Sequence, residues 1–229
     1  MATAAPARTL TAIDAEALRT RSRADFVFES LRDAISDGRI AVGERVREEE
    51  IARELGVSRT PVREALQRLH QRGLLVFGAG RGLVVAELSQ HQVLQLYAMR
   101  EILEGSAARF AAQHANATDV TILYRLQKEL ADAKPDALLL VTLNRRFHQA
   151  IYEAAHNQYL MQTLNMLHDS FALLHNATFR VPSRRSESDE EHRRIVAAIE
   201  KHDPDAAEEA AREHIRQAQR TRFEGDGGA

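Results

Sequence analysis

The segment GVSRTPVREALQRLHQRGLL, residues 56–75, constrains this chain more than any other stretch. It opens on a glycine, which lets the backbone turn sharply between two helices. Ser58 follows as an N-cap, and Pro61 falls in the first helical turn, where a missing N–H costs little. Val62, Leu66 and Leu69 recur at helical spacing and define an inward face, while Arg59, Thr60 and Arg63 lie on the opposite face of the first turns. Gly73 supplies the stop. Immediately after it, LLVFGAGRGLVVAEL (74–88) sets two short apolar runs around a glycine-rich turn at Gly78 to Gly82, which predicts a hairpin. Upstream, Ala24, Phe28, Leu31 and Ile35 mark a helix from about Ser22 to Gly38. Ile51, Ala52 and Leu55 mark a second short helix, joined to the first through GERV (43–46), read as a link. Three helices and a hairpin predict a winged helix-turn-helix over residues 21–87.

The charge distribution gives that unit a partner. The whole chain has a formal net charge of −2, so nucleic-acid binding requires a local basic surface. From Gly56 to Gly82 the basic residues are Arg59, Arg63, Arg68, Arg72 and Arg81, against Glu64 alone. Arginine at a recognition-helix N-terminus can bond O6 and N7 of guanine in the major groove. Arg81, at the tip of the hairpin, is placed to reach a minor groove or a phosphate.

From Ser89 onward no strand signal appears. Amphipathic segments near 89–115, 118–133, 136–155, 157–176, 186–202 and 204–222 are punctuated by Asp119, Pro135, Asn157, Pro182 and Pro204. The fold class expected is therefore mainly α: the winged unit, then an all-α six-helix bundle over 88–222. Tails at 1–20 and 223–229 are expected to be flexible. The chain has no cysteine, which excludes disulfides and thiolate metal sites. No apolar run reaches the length of a membrane span, and the first residues lack a secretory pattern, so a cytoplasmic protein is expected.

The stretch RVREEEIARELGVSRTPVREALQRLHQRGLLVFGAGRGLVV (45–85) closely resembles the DNA-binding domain of the GntR family of bacterial regulators. The resemblance implies a homodimer on a pseudo-palindromic, double-stranded operator. It assigns base reading to Arg59 and Arg63, backbone contacts to Ser58 and Thr60, and the wing tip to Gly80. Some members carry a further operator-contacting arginine on the second helix; Glu49 stands there in this chain, so that contact is not carried over. Residues 88–222 resemble the helical FCD effector domain of the FadR-like branch, in its six-helix, VanR-like variant. The pieces that carry the match are LYAMREILEGSAARFAA, LNRRFHQAIYEAAHNQYL and EEHRRIVAAIEKHDPDAAEEAAREH.

Those pieces also hold chemistry. Asn144 and His148, four apart, share one helix face, and His192 and His214 lie on two other expected helices. Three imidazoles and an oxygen donor suit a divalent transition ion: zinc, with nickel or manganese as alternatives. Metal-binding members of the family use an Asp or Asn and three histidines at matching places; here the more usual aspartate is Asn144, a weaker donor. Among ten histidines, His168 and His175 also share roughly one face, and a lone histidine is more often packed or solvated than a ligand. Arg100 is a candidate clamp for a carboxylic-acid effector, with an ion pair to Glu104 as its structural alternative. The function expected is a ligand-responsive repressor. Two alternatives are a regulator for which the metal itself is the signal and a metal-dependent hydrolase fused to a DNA-binding unit. The hydrolase lacks an evident general base, because Glu190 and Glu191 precede His192 and adjacent helical residues point apart.

Overall fold

The structure, a computed structural model, describes residue 10 and residues 22–80, 82–174 and 182–226. Arg81, His175, the side chain of His168, the rest of the expected N-terminal tail and the final three residues lie outside what is described. The backbone clusters into two compact units, Met1–Ser89 with Met166–His175, and Gln90–Asn165 with Asn176–Ala229.

In the first unit, helix α1 (Arg23–Ser36) starts at Ser22, whose side chain accepts from the Asp25 amide. Helix α2 (Glu48–Leu55) ends at Gly56, which adopts the left-handed conformation, φ 67°, that a side chain would strain. Helix α3 (Arg59–Gln71) follows at once. Leu31, Ile35, Ile51, Leu55, Val62, Leu69, Leu74 and Leu75 close a fully buried core. The hairpin is present as β2 (Leu75–Phe77) and β3 (Leu83–Val85). The link read at GERV holds one more strand, β1 (Arg45–Val46), which pairs antiparallel with β3 and makes the sheet order β1-β3-β2. Two residues are too short to show a period of two, so this strand exists only through its partner.

The second unit has helices and no strand among its described residues. It comprises α4 (Gln90–His114), α5 (Ala117–Asp132), α6 (Ala137–Ala154), α8 (Pro182–Glu200), α9 (Pro204–Asp226) and the part of α7 (Gln158–Ala172) before Met166, from which point α7 clusters with the first unit. Six helices were expected, with different ends. Helix α8 begins at Pro182 rather than 186, because proline is favoured at the first helical position and does not have to break the chain there. Helix α9 runs through the expected tail to Asp226, and α7 stops at Ala172. On α4, Ala107, Ala108, Ala111 and Ala112 are fully buried, so small side chains bring neighbouring helices close. Gly105 serves the same purpose against α9: a Cβ there would stand 2.8 Å from Cγ of Arg212.

Candidate functional site

On the first unit, the faces of α3 separate as the spacing requires. Val62, Leu66 and Leu69 are buried, while Ser58, Arg59, Thr60 and Arg63 are exposed. Ser58 sits at the N-cap with extended backbone but makes no side-chain capping bond. Gly80 is exposed at the hairpin tip. The two arginines assigned to base reading stand out from α3 with about 60% and 63% of their side chains exposed. Each is held by an acid of α2: Arg59 donates to Glu49 at 2.7 Å, and Arg63 donates twice to Glu48, at 2.7 and 3.2 Å. Beside Glu48, the Arg63 guanidinium is held above its ordinary pKa. Glu49, to which no DNA contact is carried over, is thus the partner of Arg59. Two members of the basic stretch have other partners. Arg68 pairs with Asp25 at 2.6 Å, and both Arg68 and Arg72 lie over the Phe28 ring, at 4.4 and 4.8 Å from its centroid.

On the second unit, His148 of α6, His192 of α8 and His214 of α9 converge. All three are buried, and each offers a ring nitrogen within 4.8 Å of the others. Ring centroids are 4.6 to 5.5 Å apart. Asn144 is half-buried one helical turn before His148.

Two carboxylates that sequence spacing could not place stand behind this triad. Glu104 of α4 directs Oε2 at Nδ1 of His148, 2.9 Å away, and its Oε1 accepts from Nε of Arg100 at 2.8 Å. Glu191 of α8 accepts from Nδ1 of His214 at 2.7 Å. Its two oxygens also accept from the two terminal nitrogens of Arg184, each at 2.6 Å. The site therefore contains two Arg–Glu–His chains, Arg100–Glu104–His148 and Arg184–Glu191–His214. A carboxylate on Nδ1–H selects the tautomer whose Nε2 carries the lone pair, as behind many metal-ligating histidines. Arg100 thus makes the ion pair its spacing allowed. Glu191 does point away from His192, but onto His214 of another helix.

Electrostatics follow from burial. Burial alone would raise the Glu104 pKa, but Arg100 and His148 hold it well below the usual carboxylate range. Burial pushes the pKa of His192 well down, and His214 and His148 push it further. His214 is lowered in the same way, by burial and then by His148 and Arg184. Both imidazoles are neutral, the form that binds metal. Nε2 of His148 and Nε2 of His192 are buried without a hydrogen-bond partner. Such orphaned ring nitrogens cost free energy unless something meets them. Three converging buried imidazoles, two of them backed by carboxylates, fit a tetrahedral or higher-coordinate divalent ion with positions left for another ligand. Two spaces border the triad. One, of about 10 Å³, touches Glu104, His148, Tyr152 and His214. The other, about 320 Å³, is lined by Leu130, Leu140, Arg185, Ser188 and Asp189 and ends on His192. The larger is the size of a small-molecule site.

A winged helix-turn-helix and a helical domain with a small-molecule-sized cavity beside three buried histidines define a DNA-binding regulator with a ligand-sensing domain. Residues 23–85 match the model of bacterial regulatory proteins, gntR family, and residues 95–217 match the FCD domain. The chain belongs to the GntR family, with an FCD effector domain. It is 35% identical to the "Probable D-xylose utilization operon transcriptional repressor" of Paenarthrobacter nicotinovorans, over 79% of this chain and 80% of that one. It is 32% identical to the "Glc operon transcriptional activator" of Escherichia coli K12, over 84% of this chain and 85% of that one. Among solved structures it is similar to "E. coli McbR/YncC", with a TM-score of 0.82 and 25% identity, covering 90% of this chain and 99% of that one. The matched families are transcriptional regulators and not enzymes, which sets the hydrolase reading aside. No helix among the described residues is long and apolar enough to cross a membrane.

Proposed function

We propose that this regulator is a homodimeric repressor of the bacterial cytoplasm, released from its operator by a small carboxylic acid bound at a divalent ion. His148, His192 and His214 hold that ion, with Asn144 as a further oxygen donor. The single observation that carries the reading is the convergence of three buried imidazoles within 4.8 Å. The larger cavity, ending on His192, supports entry of an organic ligand to that point. Exposed Leu94, Met99 and Ile102 on α4 support a second copy covering this surface. Arg59 and Arg63 read bases, Ser58 and Thr60 contact the backbone, and the wing tip at Gly80 approaches the duplex. In such a dimer the recognition helices lie about one DNA turn apart, roughly 34 Å. A ligand that prefers another arrangement withdraws the dimer from DNA, with coupling typically about 1–3 kcal/mol.

The test is the melting temperature of zinc-loaded and metal-stripped protein against a panel of small carboxylic acids, paired with operator binding. A ligand at about one hundred times its Kd stabilises by about 2.7 kcal/mol. A shift seen only with zinc, together with DNA release, is the expected result. A shift independent of zinc would detach the effector from the histidines. Metal alone changing operator affinity would make the ion the signal.

A further inference from the structure

We propose that Glu48 is a positioning residue for base reading: it holds the Arg63 guanidinium from one side, so that the other side is presented to a guanine. Base preference then depends on an acid that need not touch DNA. The proposal rests on the assignment of Arg63 as a base reader above and adds what makes that arginine selective.

A guanidinium carries five N–H donors in a fixed plane, enough for two separate forks. Glu48 takes the side fork: Nε donates to Oε2 at 3.2 Å and Nη2 donates to Oε1 at 2.7 Å. The end fork, formed by Nη1 and the second hydrogen of Nη2, has no partner among the described residues. O6 and N7 of guanine are a pair of acceptors that an arginine fork matches. Glu48 and a guanine therefore occupy different edges of one planar group and do not compete for it. Exposure runs in the sense a support requires, with 63% of the Arg63 side chain exposed and 26% of that of Glu48. The other arginines of the stretch are held differently. Arg59 reaches Glu49 through Nη2 alone, and Arg68 gives Nη1 to Asp25 while lying over the Phe28 ring.

Two physical effects make the support selective. Ordering a long side chain at an interface weakens binding by a factor of about 2–12, and Glu48 orders Arg63 before DNA arrives. The carboxylate also offsets the charge of the guanidinium. Its attraction to an anionic phosphate falls, whereas hydrogen bonds to the neutral edge of a base remain. Both effects favour guanine over the sequence-independent backbone.

The test uses the full chain and an operator duplex that it selects from a randomised pool. Competition anisotropy then gives affinities for that duplex, for versions with each guanine replaced, and for random-sequence duplex. Glu48→Gln is expected to lower the preference for one guanine by about 2–12-fold and to tighten random-sequence binding, with the melting temperature little changed. In an Arg63→Ala background the same substitution is expected to change guanine preference no further, because no fork remains to be held. Glu49→Gln, which removes a single bond, should move base preference less. If Glu48→Gln keeps the guanine preference and tightens the operator at least as much as random DNA, Glu48 is a lock on Arg63. The inference then fails while Arg63 remains a reader. An equal loss of preference with and without Arg63 would also overturn it, since the effect would not pass through that arginine. If Arg63→Ala alone leaves base preference unaltered, the base-reader assignment and this inference fail together.

Discussion

Removing Glu191 should damage this protein in two separable ways, because the residue holds two partners. Its carboxylate is the bidentate partner of Arg184, whose side chain is 2% exposed, and the acceptor for Nδ1 of His214. In Glu191→Ala the guanidinium stays buried with only the exposed Glu187, 3.8 Å from it, as a counter-ion. Breaking a buried pair from one side costs about 3–5 kcal/mol. His214 also loses the group that fixes its tautomer. Loss of such a partner weakens metal binding about 10–100-fold, or about 1.4–2.7 kcal/mol. The double variant Arg184→Leu/Glu191→Leu separates the effects. Replacing both members of a buried pair by apolar residues is often neutral or stabilising, so most of the stability should return. The metal affinity should not return, since no acceptor faces His214. Urea unfolding of metal-stripped protein reads the first effect, and chelator competition for zinc reads the second. A double variant that binds zinc as tightly as the unsubstituted protein would refute the orienting role of Glu191. A Glu191→Ala protein as stable as the original would refute the burial argument for Arg184.

Three further outcomes are expected. Arg63→Ala should weaken operator binding by about 1–3 kcal/mol and relax base preference at its contact, read by competition with mutated operators; unchanged preference would remove Arg63 from the base readers. Glu48→Gln with Glu49→Gln removes the acids that hold Arg63 and Arg59. It should tighten binding to random-sequence DNA and steepen its salt dependence, and an unaltered salt slope would count against any role for these acids. The pH dependence follows from His192 and His214, whose pKa values fall well below 6.5 in the folded protein. The unfolded chain takes up protons near 6.5 that the native state refuses. The stability they allow is therefore full above that pH and declines below it. Urea midpoints of metal-stripped protein between about pH 8 and 5 should show this fall, and His192→Phe should flatten it; an equally steep fall in that variant would assign the protons elsewhere.

The local order of the chain determined much of this protein. The 3.6 period, Gly56 and Pro61 specify α2, the turn and α3, because they act within a few residues of themselves. The paired apolar runs around Gly78 to Gly82 specify the hairpin for the same reason. Spacing of four put Asn144 beside His148, and the resemblance to metal-binding regulators nominated His192 and His214. Tertiary structure decided what depends on partners far along the chain. Strand β1 exists because β3 is there to pair with it. Glu48 and Glu49 gain their meaning only when α2 brings them against Arg63 and Arg59. Glu191, seen in sequence beside His192, faces His214, because neighbours on a helix diverge by about 100° and can meet different elements. Glu104 and Arg184 gave no sequence signal as site residues, since a buried carboxylate–guanidinium pair looks like any two surface charges until the bundle closes over it. That closure, through the alanine face of α4 and the approach at Gly105, turns separate histidines into a single centre.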